Sequence, residues 1–343
     1  MDERYDVVVI GGGAAGLSGA LALSRARRSV LVVDGGAPRN APAAGAHNYL
    51  GHEGIAPREL LAIGRGEVAG YGGQFVDGEA VSAAVVDGGF RVQLADGRSV
   101  HGRRLLVTTG LVDELPEVPG VRELWGSSVL HCPYCHGWEV RDQAIGVLAT
   151  SPMSVHQALM WRQWSEDVTL FRHARVEPTD EEWEQLAARG VSVVDGPVAA
   201  VESDGDRLTG VRLTSGQVVP RDALVVAPRF TARSALLESL GLPVEPLEVM
   251  GHVVGSAVPS TPVGSTDVPG VWVAGNVTDL MAQVIGAAAA GLRAGAGLNG
   301  DLIAEDTRLA VAARRAAAAR PVFSPASERE LCDQVLGDRR HGI

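Results

Sequence analysis

Residues 5–10 (YDVVVI) form an unbroken apolar, β-branched run, the pattern of a strand buried on both faces. GGGAAG at 11–16 ends the run, and an Ala/Leu-rich stretch to about residue 27 predicts a helix. Residues 29–33 (SVLVV) predict a second strand that ends at Asp34. Strand, glycine turn, helix, strand and terminal acid, in that order, make a dinucleotide-binding βαβ unit. In such a unit Gly11 permits the turn, Gly13 admits a pyrophosphate and Gly16 lets helix and sheet pack closely. Ala14 and Ala15 open the helix whose positive end faces the anion, and Asp34 is placed for an adenosine ribose hydroxyl.

Residues 35–60 are rich in Pro, Gly, Ala and His and read as an irregular loop, with Asn40, His47 and Asn48 as candidate cofactor contacts. Short strands follow from Gln74, with hairpin turn signals at 87–89 (DGG) and 96–97 (DG). The segment closes with 105–110 (LLVTTG), which adds Thr109 and Gly110 to the candidate contacts. After about residue 116 the plan restarts: strand 144–149, helix 155–164, strand 167–172, polar-faced helix 180–189, a hairpin, and a closing ALVVAP at 223–228. The fold class expected is therefore α/β, with two Rossmann-like, doubly wound nucleotide-binding domains. Residues 270–298 hold a strand (VWVAG) running into a small-residue helix that should return to the first domain. Residues 306–343 read as an Ala/Arg helix and a tail, expected to pack on the body or a partner chain.

At 343 residues the chain has room for two or three domains, and 46% hydrophobic content with 43 glycines suits a well-packed α/β protein. The net charge is −11 and every basic residue is Arg, with no basic run, so neither nucleic acid nor an anionic membrane is an expected partner. No apolar run approaches the ~18 residues of a membrane span. The N-terminus leads directly into a strand, so no signal peptide and a cytoplasmic location are expected. Three cysteines are too few for a disulfide-stapled scaffold, and Cys332, alone near the C-terminus, is expected to have no redox role.

The other two cysteines stand in His131-Cys132-Pro133-Tyr134-Cys135-His136. A CxxC pair closes into a disulfide and reopens, and pairing lowers the pKa of the attacking thiol. Imidazoles on both sides can take or supply the protons this moves. As half a zinc site the segment lacks further ligands, and six consecutive residues do not wrap a tetrahedral ion, so no metal is expected. The same CPYC occurs in glutaredoxins, but there after the first strand of a small domain, not after a complete nucleotide-binding domain. His52, His101, His156, His173, His252 and His341 form no constellation.

GGGAAG with Asp34, LLVTTG, CPYC and GVWVAGNVTD (270–279), in that order, resemble the low-molecular-weight thioredoxin reductase family over about residues 4–305. The resemblance implies an FAD domain, residues 1–115 and 241–305, interrupted by an NADPH-type domain, residues 116–240, that carries the CxxC. Residues 306–343 lie outside it. It implies bound FAD, with Gly275 and Asn276 beside the ribityl phosphate, and a homodimer. The family usually has Asp at the position of Asn276, so an altered flavin potential is expected.

Two departures redirect the functional expectation. Where the family has a second glycine fingerprint, this chain has Ala149-Thr150-Ser151-Pro152-Met153-Ser154. Side chains crowd the turn and Pro152 removes an N–H, so NADPH is not expected to bind. The basic cluster for a 2′-phosphate is only partly matched by Arg172-His173-Ala174-Arg175. The second departure is His136, where true thioredoxin reductases have an acid. HCPYCHGWEVRD is similar to the thioredoxin-reductase-like dithiol oxidases that close disulfides in natural products such as gliotoxin and holomycin.

That subgroup implies FAD-dependent oxidation of a small-molecule dithiol, with O2 as acceptor and hydrogen peroxide as product. A substrate thiolate attacks Cys132 and Cys135 leaves as a thiolate. His131 or His136 serves as base, and Asp279 is a candidate to orient one of them. Two alternatives stand beside it. One is a thioredoxin-disulfide reductase driven by NADPH or a donor such as ferredoxin; the other is a non-catalytic flavin-binding redox sensor.

Overall fold

The computed structural model describes residues 4–174, 176–318 and 324–337. The first βαβ unit is β1 (Arg4–Ile10), α1 (Ala14–Arg25) and β2 (Val30–Asp34). Val7, Val8, Val9 and Val32 are fully buried, as strands covered on both faces must be. The loop expected to run to residue 60 is shorter, because α2 (Pro57–Gly70) begins inside it. Pro57 stands at the first helical position with Glu59 in the first turn, both helix-start signals. Only Pro57 and Val68 of α2 are buried, so its apolar periodicity is faint.

β3 (Gln74–Asp77), β4 (Ala80–Val86), β5 (Gly89–Leu94) and β6 (Ser99–Val107) complete most of a seven-stranded sheet of order β3-β2-β1-β6-β5-β4. β6 has two neighbours on one side. Ser99 to Gly102 pair antiparallel with β5, whereas Leu105, Leu106 and Val107 pair in parallel with a strand from near the C-terminus.

The chain leaves this sheet through β7 (Leu111–Glu114) and builds a second one from β8 (Val129–Leu130), β9 (Ile145–Leu148), β10 (Val168–Arg172), β11 (Ser192–Asp195) and β15 (Ala223–Val225). All neighbours in the order β11-β10-β9-β15-β8 are parallel. The short helix α3 (Pro133–His136) follows β8, α4 (Met153–Trp161) follows β9, and α5 (Asp180–Ala188) follows β10. Thr179 and Glu182 form a reciprocal capping box that starts α5. An antiparallel sheet of β12 (Val198–Asp204), β13 (Arg207–Leu213) and β14 (Val218–Pro220) flanks them.

β16 (Arg229–Ala232) brings the chain back antiparallel to β7, so exit and return are hydrogen-bonded to each other. After α6 (Ala235–Glu238), β17 (Glu245–Val249) and β18 (His252–Ala257) extend that pair into a four-stranded sheet. β19 (Val271–Val273) then enters the first sheet beside β6, as the VWVAG pattern predicts. The small-residue helix is α7 (Val284–Ala318). Its glycines allow backbone contact with α1: a Cβ on Gly291 would stand 1.9 Å from the Ala15 carbonyl oxygen.

The described residues from Asn299 onward form a second compact unit, the remainder of α7 together with α8 (Pro325–Leu336). Thus α7 continues through residue 306, where the sequence placed the start of a separate helix. None of the helices described is long and apolar enough to cross a membrane. Arg175 and His341 lie outside the described residues.

Candidate active site

The dinucleotide turn has the shape its glycines require. Gly11 adopts φ +103°, and a Cβ on Gly16 would stand 1.9 Å from the Gly11 carbonyl oxygen. Gly13 differs: a Cβ there would meet nothing within 4 Å, so the space above it is open. Gly13 is also the N-cap of α1, and no side chain caps that helix end. Its first N–H groups, at Ala14, Ala15 and Gly16, are thus available to an anion.

Asp34 accepts the Gly12 N–H at 2.9 Å and pairs with Arg65 at 3.3 Å. Gly275, at φ +76°, approaches Ala15 so closely that a Cβ would stand 2.9 Å from the Ala15 methyl group. An open, uncapped cradle with an acid at the end of β2 fits a dinucleotide such as FAD.

The second turn is built differently. Pro152 is the N-cap of α4, and the buried Ser154 hydroxyl accepts the Ser151 N–H at 3.4 Å. Ala149 is fully buried and donates its N–H to Phe171 at 2.9 Å. The basic residues past β10 are also engaged. Arg172 pairs with Asp195 at 2.7 Å and with Glu177, and His173 Nδ1 accepts the Val198 N–H at 3.0 Å.

The dithiol sits at the carboxyl end of β8, where ligands gather in parallel sheets. Cys132 is the N-cap of α3, and Pro133 starts the helix with its φ preset. The Cys132 carbonyl accepts the N–H groups of Cys135 and His136, each at 3.1 Å, and this turn brings the two sulfurs to 2.7 Å. The Cys135 thiol donates to Cys132, and with N–H groups of Cys135 and Tyr134 and the Gln283 amide it lowers Cys132 to about 7. Cys135, as the donor and partly buried, is pushed up. Gln283 Nε2 lies 3.9 Å from Cys132 Sγ and precedes α7, so the pair faces the first sheet's side of the molecule.

Both flanking histidines are half-buried, and burial lowers both below the ordinary imidazole value. His131 Nδ1 lies 3.1 Å from the Val226 carbonyl, and its ring meets Phe230 edge-on at 5.2 Å. The charges acting on His136 come from Glu139, His47 and His131.

The structure distributes the other predicted residues. Asn48, at φ +61°, donates from Nδ2 to the Tyr134 carbonyl at 2.6 Å, and His47 lies 2.7 Å from Glu53 and 3.4 Å from Glu139. These two residues therefore brace the CxxC turn. Asn40 lies in the turn before them, its carbonyl accepting the Ala43 N–H at 3.0 Å. The Thr109 hydroxyl donates to the Arg233 carbonyl at 2.6 Å, and Gly110, at φ +73°, accepts the Arg233 N–H. Asn276 spends its amide on the carbonyls of Asp279 and Ala282, both at 2.9 Å. The Asp279 carboxylate accepts the Met281 N–H in its own turn at 3.2 Å; the acids acting on His131 and His136 are Asp113 and Glu139.

Sequence reading missed Arg39, Asp113, Gln157, Phe230 and Gln283. The Arg39 guanidinium grips Asp113 with two hydrogen bonds, 2.8 and 2.7 Å, across 74 residues of sequence, a pairing no local pattern announces.

Comparison with known proteins shows the family and the fold. Thioredoxin reductase tcpT of Claviceps purpurea is 31% identical over 320 residues, covering 88% of this chain and 95% of the relative. The crystal structure of HlmI superposes with a TM-score of 0.86 at 46% identity, covering 93% of this chain and 99% of that one. An oxidoreductase from Agrobacterium tumefaciens gives 0.82 at 37% identity over 88% and 99%. Residues 5–295 match the pyridine nucleotide-disulphide oxidoreductase family. The chain belongs to that family, and within it to the thioredoxin-reductase-like flavin oxidoreductases.

Proposed function

We propose that this protein is an FAD-dependent dithiol oxidase that closes a disulfide in a small-molecule dithiol and passes the electrons to O2. The observation that carries the reading is the contrast between its two nucleotide turns. Over Gly13 the space is open, whereas at 149–154 Pro152 starts the helix, the Ser151 carbonyl already takes the Ser154 N–H at 3.0 Å, and the Ala149 and Ser154 side chains are buried. One dinucleotide site with a dithiol suits electrons that arrive from a thiol substrate, with no need for a nicotinamide. Arg172, already held by Asp195 and Glu177, argues in the same direction against a 2′-phosphate.

In the oxidised enzyme a substrate thiolate attacks Cys132 Sγ. The Cys132–Cys135 bond breaks and its electron pair stays on Cys135 Sγ. The second substrate thiol loses its proton and attacks the first substrate sulfur, expelling Cys132 as thiolate and releasing cyclic disulfide. Bound FAD supplies the two-electron acceptor that restores the protein disulfide, and O2 with two protons leaves as hydrogen peroxide. Residues 11–16, Asp34, Gly275 and Asn276 would hold FAD. His131 and His136, neutral through burial, take the substrate protons. Leu50, Tyr134, Trp138 and Met281 are exposed on the segments that brace the pair, a rim suited to an apolar dithiol.

We further propose the division expected from sequence: an FAD domain of 1–115 and 241–305, an insert of 116–240 that lacks bound NADPH, and a cytoplasmic homodimer. The test is the visible spectrum of the FAD-loaded protein under nitrogen. A small dithiol should bleach it and NADPH should not, and air should restore the colour with formation of peroxide. Fast bleaching by NADPH would instead establish a disulfide reductase, and bleaching by neither would leave a protein donor or a sensor role.

A further inference from the structure

The donors around Cys132 differ in where they come from and in when they can act. Three belong to its own turn: the Cys135 thiol, 2.7 Å from Cys132 Sγ, and the N–H groups of Tyr134 and Cys135. The fourth is the side-chain amide of Gln283, 151 residues away, whose Nε2 lies 3.9 Å from Cys132 Sγ, within reach of an N–H···S bond. The Cys135 thiol donates only while it keeps its proton. Once substrate has attacked Cys132, Cys135 is a thiolate with no hydrogen to give. The Cys135 N–H is already shared with the Cys132 carbonyl at 3.1 Å. The Gln283 amide depends on neither.

The chain fixes Gln283 in this place. Gly275 turns at φ +76° beside the Ala15 methyl group, and Asn276 donates to the carbonyls of Asp279 and Ala282, both at 2.9 Å. Ala282 directly precedes Gln283. The Gln283 carbonyl accepts the Ala287 N–H at 2.8 Å in the first turn of α7. The backbone is thus held on both sides, and the half-buried side chain reaches across to the dithiol.

We propose that Gln283 is a catalytic residue: its amide N–H bonds to Cys132 Sγ and stabilises that sulfur as the thiolate expelled when the substrate disulfide closes. The proposal rests on the dithiol chemistry above. In the closing step the second substrate sulfur, its proton lost to an imidazole, bonds to the first substrate sulfur. The bond from that first sulfur to Cys132 Sγ breaks, and its electron pair stays on Cys132 Sγ. A thiolate stabilised by a donor is the better leaving group. With electrons running the other way, the same contact would raise the share of Cys132 present as attacking thiolate. The titratable or charged groups on the elements that meet here are Cys135 and His136 on α3, His131 before it, Asp279 in the turn that carries Gln283, and Arg39, which acts on Cys135 and His131.

The experiment titrates Cys132 alone. In a Cys135→Ala background, the reduced FAD-loaded protein is alkylated with iodoacetamide across pH. Labelling at Cys132 is read by peptide mass spectrometry, with the exposed Cys332 as internal reference. Gln283→Met keeps the length and loses the donor; it should raise the Cys132 midpoint by roughly 0.5 pH unit, about a threefold change in the thiolate equilibrium. Gln283→Glu should raise it at least as far, since a carboxylate adds a like charge. Gln283→Lys restores a donor and should bring the midpoint to the wild-type value or below it. In the chain with both cysteines, Gln283→Met should slow the single-turnover bleaching of the flavin by a small dithiol about twofold or more. An unchanged midpoint in Gln283→Met, a midpoint in Gln283→Lys as high as in Gln283→Met, or unchanged bleaching would overturn the proposal. If the Met variant does not fold, the Glu and Lys variants carry the same test through their opposite signs. Shifted midpoints in a protein that oxidises no dithiol would remove the oxidase reading and leave the donation to Cys132 standing.

Discussion

His131 Nδ1 lies 3.1 Å from the carbonyl oxygen of Val226, which can only accept, so the ring proton sits on Nδ1 and Nε2 is left as the acceptor. Gln157, on α4, places its Nε2 3.5 Å from the same nitrogen while its buried Oε1 has no partner. Exchanging the amide's oxygen and nitrogen would give Nδ1–H a second acceptor and satisfy Oε1. Burial lowers the imidazole most; the Val226 carbonyl opposes it, Arg39 lowers it further, and Asp113 raises it. Replacing both His131 and His136 by Ala should therefore cost on the order of a hundredfold in kcat/KM with a small dithiol. A loss of only about two- or threefold would take both histidines out of the proton transfers.

Burial of these histidines also sets a pH dependence of stability. His131, His136 and His173 are all lowered when folded, each chiefly by desolvation. Between the folded values and the unfolded value of about 6.5, the unfolded chain binds more protons. Stability is therefore full above about pH 6.5 and falls as pH drops from there toward the folded values. Denaturant midpoints measured from about pH 8 to about pH 5 should show this slope, and His131→Asn with His136→Asn should flatten it. An unchanged slope in the double variant would assign the acid sensitivity elsewhere.

Cys135→Ser removes the thiol that must leave when Cys132 is attacked, yet touches none of the residues placed at the FAD cradle. Turnover should fall below detection while FAD stays bound, read as flavin absorbance after gel filtration. Normal turnover in this variant would dismiss the dithiol mechanism.

Two glycines of one turn should respond in opposite ways. A Cβ at Gly16 would stand 1.9 Å from a backbone oxygen, so Gly16→Ala should cost about 1–3 kcal/mol of stability even without FAD. A Cβ at Gly13 meets no protein atom within 4 Å. Gly13→Ala should therefore keep the apoprotein's stability within about 0.5 kcal/mol, and lower FAD affinity by about tenfold or more. Equal destabilisation of both apoproteins would mean that the space over Gly13 is not a ligand site.

The parallel strands were legible because burial on both faces writes unbroken β-branched runs such as VVVI at 7–10 and LVV at 31–33. The CxxC and the glycine turn were legible because each is local, its parts within six residues. α2 was hidden by its sparse burial and its glycines at 64, 66 and 70; Gly64 brings α2 close to Leu17 of α1. The supports of the site were hidden for a different reason. Arg39 with Asp113 and Gln283 with Cys132 are separated by 74 and 151 residues, and only the folded sheets bring them together.

Asn276 shows the same division at one position. Its difference from the family's Asp is plain in the sequence, and its cause is not. The side-chain Nδ2 donates to the carbonyls of Asp279 and Ala282 at 2.9 Å and approaches that of Leu280 at 3.4 Å. A carboxylate has no hydrogen to donate and would face three carbonyl oxygens with negative charge. Its other oxygen would still meet Arg39, which lies 3.4 Å from Asn276 Oδ1 and already serves Asp113. One partner is kept and two bonds become repulsions, so Asn276→Asp should destabilise the protein by about 1–3 kcal/mol. The turn it holds runs from Gly275, beside Ala15, to Gln283, beside Cys132, so FAD retention and the Cys132 titration should both suffer. Thermal melting with FAD fluorescence as readout checks the first effect, and iodoacetamide labelling of Cys132 across pH checks the second. Wild-type behaviour in both would show that the amide's donors are dispensable and that Asn276 is an interchangeable polar residue.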